Sequence, residues 1–288
     1  MRLFGPRKLG LALGSGSARG IAHIGVLKAL AEAGVRPDVI TGTSMGAVVG
    51  AMYAAGTDIA EIERIALGFD VRSLLSLADV TSSRGAILSG EKLEEFLRGH
   101  LPGRFEDLGI PFGCASTDLC TGTSVRHTSG SLADAVRASL SVPVVLLPVD
   151  DGERLLADGF LTDPIPVKLA RDLGAEVVVA VDVSGAGSIE RLSGSGQSVG
   201  PLKELRAALK GEGPRQRGAS TLDIAAATVE IMERRVAAPA LADADVIISP
   251  EVHGYGGYEF LAAERIMALG EEAGRLAAAE VRRAAHLR

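Results

Sequence analysis

Residues 39–55 read VITGTSMGAVVGAMYAA. The short apolar run Val39–Thr41 predicts a buried strand, and the small-residue run Ala47–Ala55 predicts a helix. Between them, Gly42-Thr43-Ser44-Met45-Gly46 has the G-x-S-x-G form of a strained strand-to-helix turn. Gly42 and Gly46 admit the tight geometry, and the helix N-terminus favours negative charge developing near Ser44. Upstream, residues 8–20 read KLGLALGSGSARG. Lys8–Leu13 predicts a second buried strand and Gly14–Gly20 a loop. A helix follows over Ile21–Ala33, with Ile21, Ile24, Val26, Leu27 and Leu30 on one face and Gly34 at its end. Two strand–loop–helix units in succession argue for an α/β fold, helices around a mostly parallel central sheet.

The pattern continues outward. Asp58–Leu67 and Glu91–Leu97 read as helices, with a poorly patterned stretch, 68–90, between them as a candidate cover. Phe112–Asp118 and Ser124–His127 flank Thr121-Gly122 as a hairpin; Val144–Val149 and Arg154–Ala157 flank Asp150-Asp151-Gly152 as another. Ser131–Ser139 and Ile165–Leu173 read as helices, Val177–Asp182 as a buried strand. Residues 184–220 are rich in Gly, Ser, Lys and Arg and read as a flexible surface insertion. A helix near Leu222–Val236, a strand Val246–Ser249 and a long helix from about Leu261 to Ala285 complete the pattern. The whole of 1–288 is expected to form one domain.

Composition narrows the function classes. Apolar residues make up 47%, enough for a packed core, but aromatics are 3% and Trp is absent, so Ala, Val, Leu and Gly must fill it. A net charge of −6 gives no general attraction to nucleic acid or anionic lipid. The two cysteines, Cys114 and Cys120, are too few for a disulfide framework and match no zinc spacing; both are expected reduced. The N-terminal residues MRLFGPRKLG lack the apolar region of a signal peptide, and no run of about 20 apolar residues occurs. The expected location is the cytoplasm, with membrane contact no more than peripheral.

Three places carry chemistry. Ser44 on its elbow is the candidate nucleophile. The loop Gly14–Gly20 offers backbone N–H groups to an oxyanion or a phosphate. A dinucleotide fingerprint is the rival for that loop, but Gly14, Gly16 and Gly20 are spaced one residue too long and Ser44 is left without a role. Asp158-Gly159 follows the apolar run Arg154–Ala157, which places Asp158 at a strand end, where open α/β sheets form their sites. A serine hydroxyl needs an adjacent base, and a carboxylate in a dry site can serve; an ordinary Asp-Gly turn is the plain alternative. The order Ser44…Asp158…His253 also fits a hydrolase triad, although only two strands precede Ser44. His23 is expected to pack or cap on the first helix. Ser139-x-Ser141-x-Pro143 is expected to end a helix and shape a wall of the site.

Taken together these elements resemble the patatin-like phospholipase family, especially its short bacterial members. LALGSGSARGIAHIGVLKALAEAG (11–34) resembles the family's glycine-rich oxyanion signature, and GTSMG (42–46) its serine elbow. STDLCTGTSVRHTSGSLADAVRASLSVPVVLLPV (116–149) resembles its middle segment, and ADGFLTDPIPV (157–167) its Asp-Gly motif. The likeness covers about 8–182 well and the C-terminal third loosely. It implies a lipid acyl-ester hydrolase without metal or organic cofactor, using a Ser/Asp dyad and no catalytic histidine. Ser44 would then be nucleophile, Asp158 base, and the N–H groups around Ser15, Gly16 and Ser17 the oxyanion hole. Arg19 would steady the loop or its ligand. Ser15 and Ser17 stand where many relatives have glycine, so the loop is expected to be shaped slightly differently. Phe160 stands where a small residue is usual and would narrow the site or line an acyl pocket. A patatin-like module kept for binding alone, and a triad esterase using His253, are the alternatives at this level.

Overall fold

The computed structural model describes residues 5–68, 90–184, 221–257 and 259–287. Of the candidate cover 68–90 and the expected insertion 184–220, residues 69–89 and 185–220 lie outside the described residues. Strands β1 (Leu9–Leu13), β2 (Val39–Thr43), β3 (Phe112–Asp118), β4 (Thr123–His127), β5 (Val149–Asp150), β6 (Leu155–Asp158), β7 (Val177–Val181) and β8 (Val246–Ile248) form one sheet. Around it lie α1 (Ala22–Glu32), α2 (Met45–Ala54), α3 (Ile59–Leu67), α4 (Glu91–His100) and α5 (Leu132–Ser139). Later in the chain come α6 (Val167–Asp172), α7 (Thr221–Ala242) and α8 (Ala263–Ala284). The expected α/β architecture, helices around a mostly parallel sheet, is the one observed.

The residues of β1 and β7 explain why helices cover both faces. In β1, Leu9, Leu11 and Leu13 point into the larger core, shared with α1, α2 and α8. The alternate positions hold Gly10 and Ala12, and the same alternation in β7 sets Val177, Val179 and Val181 against Val178 and Ala180. The small residues form a thinner second core with Val167 and Ala170 of α6 and Ala237 of α7. A Cβ on Gly10 would come within 2.6 Å of the Ala175 Cβ, so that face must carry small side chains. Strands buried on both faces are typical of parallel sheets, and β1, β2 and β7 are buried throughout. On the larger face α1 crosses α8 backbone to backbone. A Cβ on Gly25 would lie 2.0 Å from Met267 O, and one on Gly270 2.0 Å from Ala22 O. Any side chain at either position would force the helices apart.

Strand β3 positions the site. Its one edge pairs with antiparallel β4, from Cys114↔His127 to Asp118↔Thr123. Its other edge is divided. Parallel β2 occupies the first half, ending at Thr43↔Ala115. Antiparallel β6 occupies the second half, ending at Ser116↔Asp158. Two strands running in opposite directions therefore finish head to head against adjacent residues of β3.

The expected strand Val144–Val149 is a correction: only Val149–Asp150 is extended, paired with Leu155–Leu156. After Pro143 the chain turns instead, closed by Val145 N–H to Val142 O (3.1 Å) and Leu146 N–H to Val142 O (2.9 Å). The buried Arg137 Nη2 donates to Leu147 O at 3.1 Å and holds the turn in place. The run P-V-V-L-L-P carries the apolar composition of a strand, but a proline at each end withholds a ladder donor. Val144 is 72% exposed with φ 73, a conformation that β-branched residues rarely adopt. The helix expected at Ile165–Leu173 is shorter, Val167–Asp172. The one expected to end at Val236 runs to Ala242, with Pro239 inside it.

Candidate active site

The elbow forms as its residues dictate. Ser44 directly follows β2 and precedes α2, with φ 56 and ψ −123. This strained backbone costs on the order of 1–3 kcal/mol and persists only where the surroundings enforce it. Here they do. A Cβ on Gly42 would lie 2.3 Å from Gly46 O, and one on Gly46 2.3 Å from Leu13 O, so only glycines let the turn close against β1. Ser44 N–H donates to Ser139 Oγ at 2.9 Å, which satisfies a buried donor at the turn.

Asp158 arrives from the opposite direction at the end of β6. Its backbone N–H donates to Ser141 O (2.9 Å), and its carbonyl accepts from Thr117 Oγ1 (2.9 Å). Gly159 is required at the junction, where a Cβ would lie 2.3 Å from Ala115 O and 2.8 Å from Thr43 Cγ2. The side chains then meet: Ser44 Oγ donates to Asp158 Oδ2 at 2.6 Å, while Phe160 N–H donates to Asp158 Oδ1 at 2.9 Å. Asp158 is fully buried, and burial raises its carboxyl from 3.8 to about 7, with the charge of Glu233 adding to the rise. The bonds from Ser44 and Phe160 pull the other way. The end of α5 thus holds both halves, Ser139 on Ser44 and Ser141 on Asp158. Buried Arg137 braces it through Nη1 to Ser141 Oγ (2.6 Å). The Ser139-x-Ser141 segment does more than shape a wall.

The Gly14–Gly20 loop contains a tight 3-10 turn, Ser17–Ile21, lying against the start of α2, where Gly20 leaves room for the Met45 side chain. Gly14 N–H donates to Val181 O (3.0 Å) and Ser15 N–H to Pro164 O (2.8 Å). The expectation that Ser15 contributes an oxyanion donor is therefore corrected: its N–H already has an acceptor. Among the described residues, the N–H groups of Gly16 and Ser17 have none. Ser17 sits at φ 51, in the left-handed region that favours glycine, while Ser15 does not have a positive φ. Arg19 is not a surface group. It is 3% exposed, with Nη1 at 3.4 Å from Glu230 Oε1. His23 lies beneath the loop and donates from Nε2 to Gly14 O at 2.7 Å; burial lowers its pKa to about 4, so it is a neutral prop.

His253 is exposed and pairs with Glu251 Oε2 at 3.0 Å, while Ser44 reaches Asp158 without an intermediary. His127 bonds Ser116 Oγ at 2.8 Å. Cys114 is buried in β3, where burial pushes its thiol up, and Cys120 is exposed; both are free. Phe160, two residues after Asp158, is buried. Among the described residues no cluster of three or more His, Cys, Asp or Glu is placed to hold a metal, and no helix is long and apolar enough to cross a membrane. Sequence reasoning missed Glu233 of α7, which accepts a hydrogen bond from Ser15 Oγ. Its only local signal is a carboxylate on a face otherwise lined by Ala227 and Ala237.

Comparison with known proteins bears on the same segment. The model of the patatin-like phospholipase family matches residues 11–171, which include the glycine loop, the serine elbow and Asp158. An uncharacterized NTE family protein of Mycobacterium tuberculosis is 42% identical over 180 residues, 62% of this chain and 50% of the relative. Another from the same organism is 34% identical over 295 residues, 94% of this chain and 46% of the relative. A lysophospholipase of Emericella nidulans is 39% identical over 191 residues, 64% of this chain and 12% of that protein. The chain thus spans half or less of the length of these curated relatives. Among solved structures, VipD from Legionella pneumophila superposes with a TM-score of 0.55 at 14% identity, over 96% of this chain and 67% of that one, a likeness of fold. The family match runs through more than half of the chain and through both strand ends that meet on β3, and the chain belongs to the patatin-like phospholipase family.

Proposed function

We propose that this protein is a lipid acyl-ester hydrolase acting through a Ser44–Asp158 dyad. The observation that carries the reading is the 2.6 Å bond from Ser44 Oγ to a buried carboxyl whose pKa stands near 7. A base of that strength is matched to neutral pH, where it is ionised in a useful fraction and can still hold a proton.

Asp158 Oδ2 takes the Ser44 proton as Ser44 Oγ attacks the ester carbonyl. The Gly16 and Ser17 N–H groups receive the resulting oxyanion, and the N-terminus of α2 adds its dipole. The tetrahedral intermediate collapses with proton return from Asp158 to the leaving alcohol. Asp158 then deprotonates water, which attacks the acyl-enzyme; the second tetrahedral intermediate releases the fatty acid as Asp158 returns the proton to Ser44 Oγ. Gly14 and Ser15 have their N–H groups bonded within the fold, so two adjacent donors remain, which suits one oxyanion better than a diphosphate.

The test is a fluorophosphonate probe on the purified chain, with the adduct mapped by mass spectrometry and fatty-acid release followed from phospholipid and lysophospholipid micelles. Labelling at Ser44 together with acyl release is expected, both lost in Asp158→Asn. A folded chain that neither labels nor releases fatty acid would overturn the reading in favour of a binding module. Labelling retained in Asp158→Asn but lost in His253→Ala would restore the triad.

A further inference from the structure

Buried carboxylates beside a site that stabilises negative charge are counterproductive unless they hold something in place. Glu233 is 7% exposed and accepts from Ser15 Oγ, a contact spanning 218 residues of chain. Ser15 immediately precedes the two N–H groups without acceptors, Gly16 and Ser17. Its backbone is held from one side by Pro164 O, and its side chain from the other by Glu233. One turn earlier on α7, Glu230 faces Arg19 of the same loop at 3.4 Å. The helix also packs on the turn Gly159–Leu161, which follows the base. One helix therefore touches both the oxyanion loop and the segment carrying Asp158.

From this arrangement we infer that Glu233 is a positioning residue, whose bond to the Ser15 hydroxyl fixes the Gly16 and Ser17 N–H groups for the oxyanion. It deepens the hydrolase reading and rests on it. The groups facing Glu233 are Ser15 and Arg19 from the loop, Glu230 from its own helix, Asp182 beyond the end of β7, and Asp158, whose carboxyl the charge of Glu233 raises. Burial lifts its carboxyl above the usual range; Ser15 and Arg19 oppose that rise, and Glu230 and Asp182 add to it. The hydroxyl that makes the contact exists because position 15 is serine. A glycine there would leave the loop without this anchor, so Ser15 and Glu233 form one device.

The experiment compares the full chain with Glu233→Ala, Glu233→Gln, Ser15→Ala and the Ser15→Ala/Glu233→Ala pair. It reads fluorophosphonate labelling rates, and kcat and KM on a p-nitrophenyl ester of a medium-chain fatty acid. Donors that act on the transition state move kcat and not KM. Glu233→Ala is expected to lose roughly 10- to 100-fold in labelling and kcat, the cost of a small misplacement. Glu233→Gln keeps an acceptor for the hydroxyl and should recover most of that loss. The double variant should be no slower than Glu233→Ala, since both changes remove one contact. Wild-type labelling by Glu233→Ala overturns the inference, and so do losses that multiply in the double variant. If Glu233→Ala does not fold, Ser15→Ala must show the same kcat-selective loss, and its absence overturns the inference. If the wild type itself never labels, the hydrolase reading fails separately. The Gly16 and Ser17 amide resonances then decide: displaced in Ser15→Ala and kept in Glu233→Gln they support the anchor, unmoved in both they refute it.

Discussion

The two ends that meet on β3 are built differently. Ser44 is placed by its neighbours in sequence: Gly42 and Gly46 shape the turn, β2 leads in, α2 leads out. Asp158 is placed by distant parts of the chain: Ala115, Ser116 and Thr117 of β3, and Ser141 beyond α5. Ser44 is thus placed by local structure and Asp158 by tertiary structure. The local half is a motif that sequence alone displays, and the tertiary half is an Asp-Gly like many others until its strand is paired.

The sharpest way to break the comparison is to remove each chemical group. Ser44→Ala should abolish labelling and hydrolysis, a loss on the order of 10⁴ or more, with circular dichroism unchanged. Asp158→Asn should cost about 10²–10⁴ in kcat, because an amide cannot accept the proton. Comparable losses from both would mean that the tertiary half matters as much as the motif.

A second effect separates the halves by pH. Asp158 moves from 3.8 to about 7 on folding. Between those values the folded chain holds a proton that the unfolded chain has released. Stability therefore falls as pH rises from about 4 to about 7, by at most about 4 kcal/mol, for a shift of roughly three units. Thermal melts at pH 5 and pH 8 should show this slope in the wild type and its loss in Asp158→Asn, which should be the more stable protein at pH 8. Activity runs oppositely: in the proposed mechanism Asp158 must be ionised, so labelling should rise with pH through about 7 and level off above it. A wild-type labelling rate that is flat from pH 5 to 8 would mean the carboxyl is not the base.

Two smaller changes sharpen the contrast. Gly159→Ala places a Cβ 2.3 Å from Ala115 O, so the junction of β6 with β3 must shift. We expect about 1–3 kcal/mol of lost stability and a slowed but intact elbow, visible as a lowered Tm with labelling still at Ser44. Ser139→Ala leaves the Ser44 N–H without its acceptor. That should cost roughly 1–2 kcal/mol, and about tenfold in labelling, without moving the pH dependence.

Sequence by itself determined the parallel half of the molecule. The alternation in β1 and β7, the elbow glycines and the helix after each loop are short-range signals, and each carries its own steric or periodic reason. Asp158 stood out through its family resemblance, while its spacing alone left an ordinary turn open. The strand expected at Val144–Val149 failed for a physical reason: an apolar run has the same composition whether extended or turned, and the prolines and buried Arg137 chose the turn. Only the tertiary structure decided that β2 and β6 share one edge of β3. It also decided that Ser15 gives its N–H to Pro164, and that Glu233 reaches the glycine loop from 218 residues away. These outcomes depend on which strands and helices become neighbours, and that is set by the free energy of packing the whole chain, which no window of residues contains.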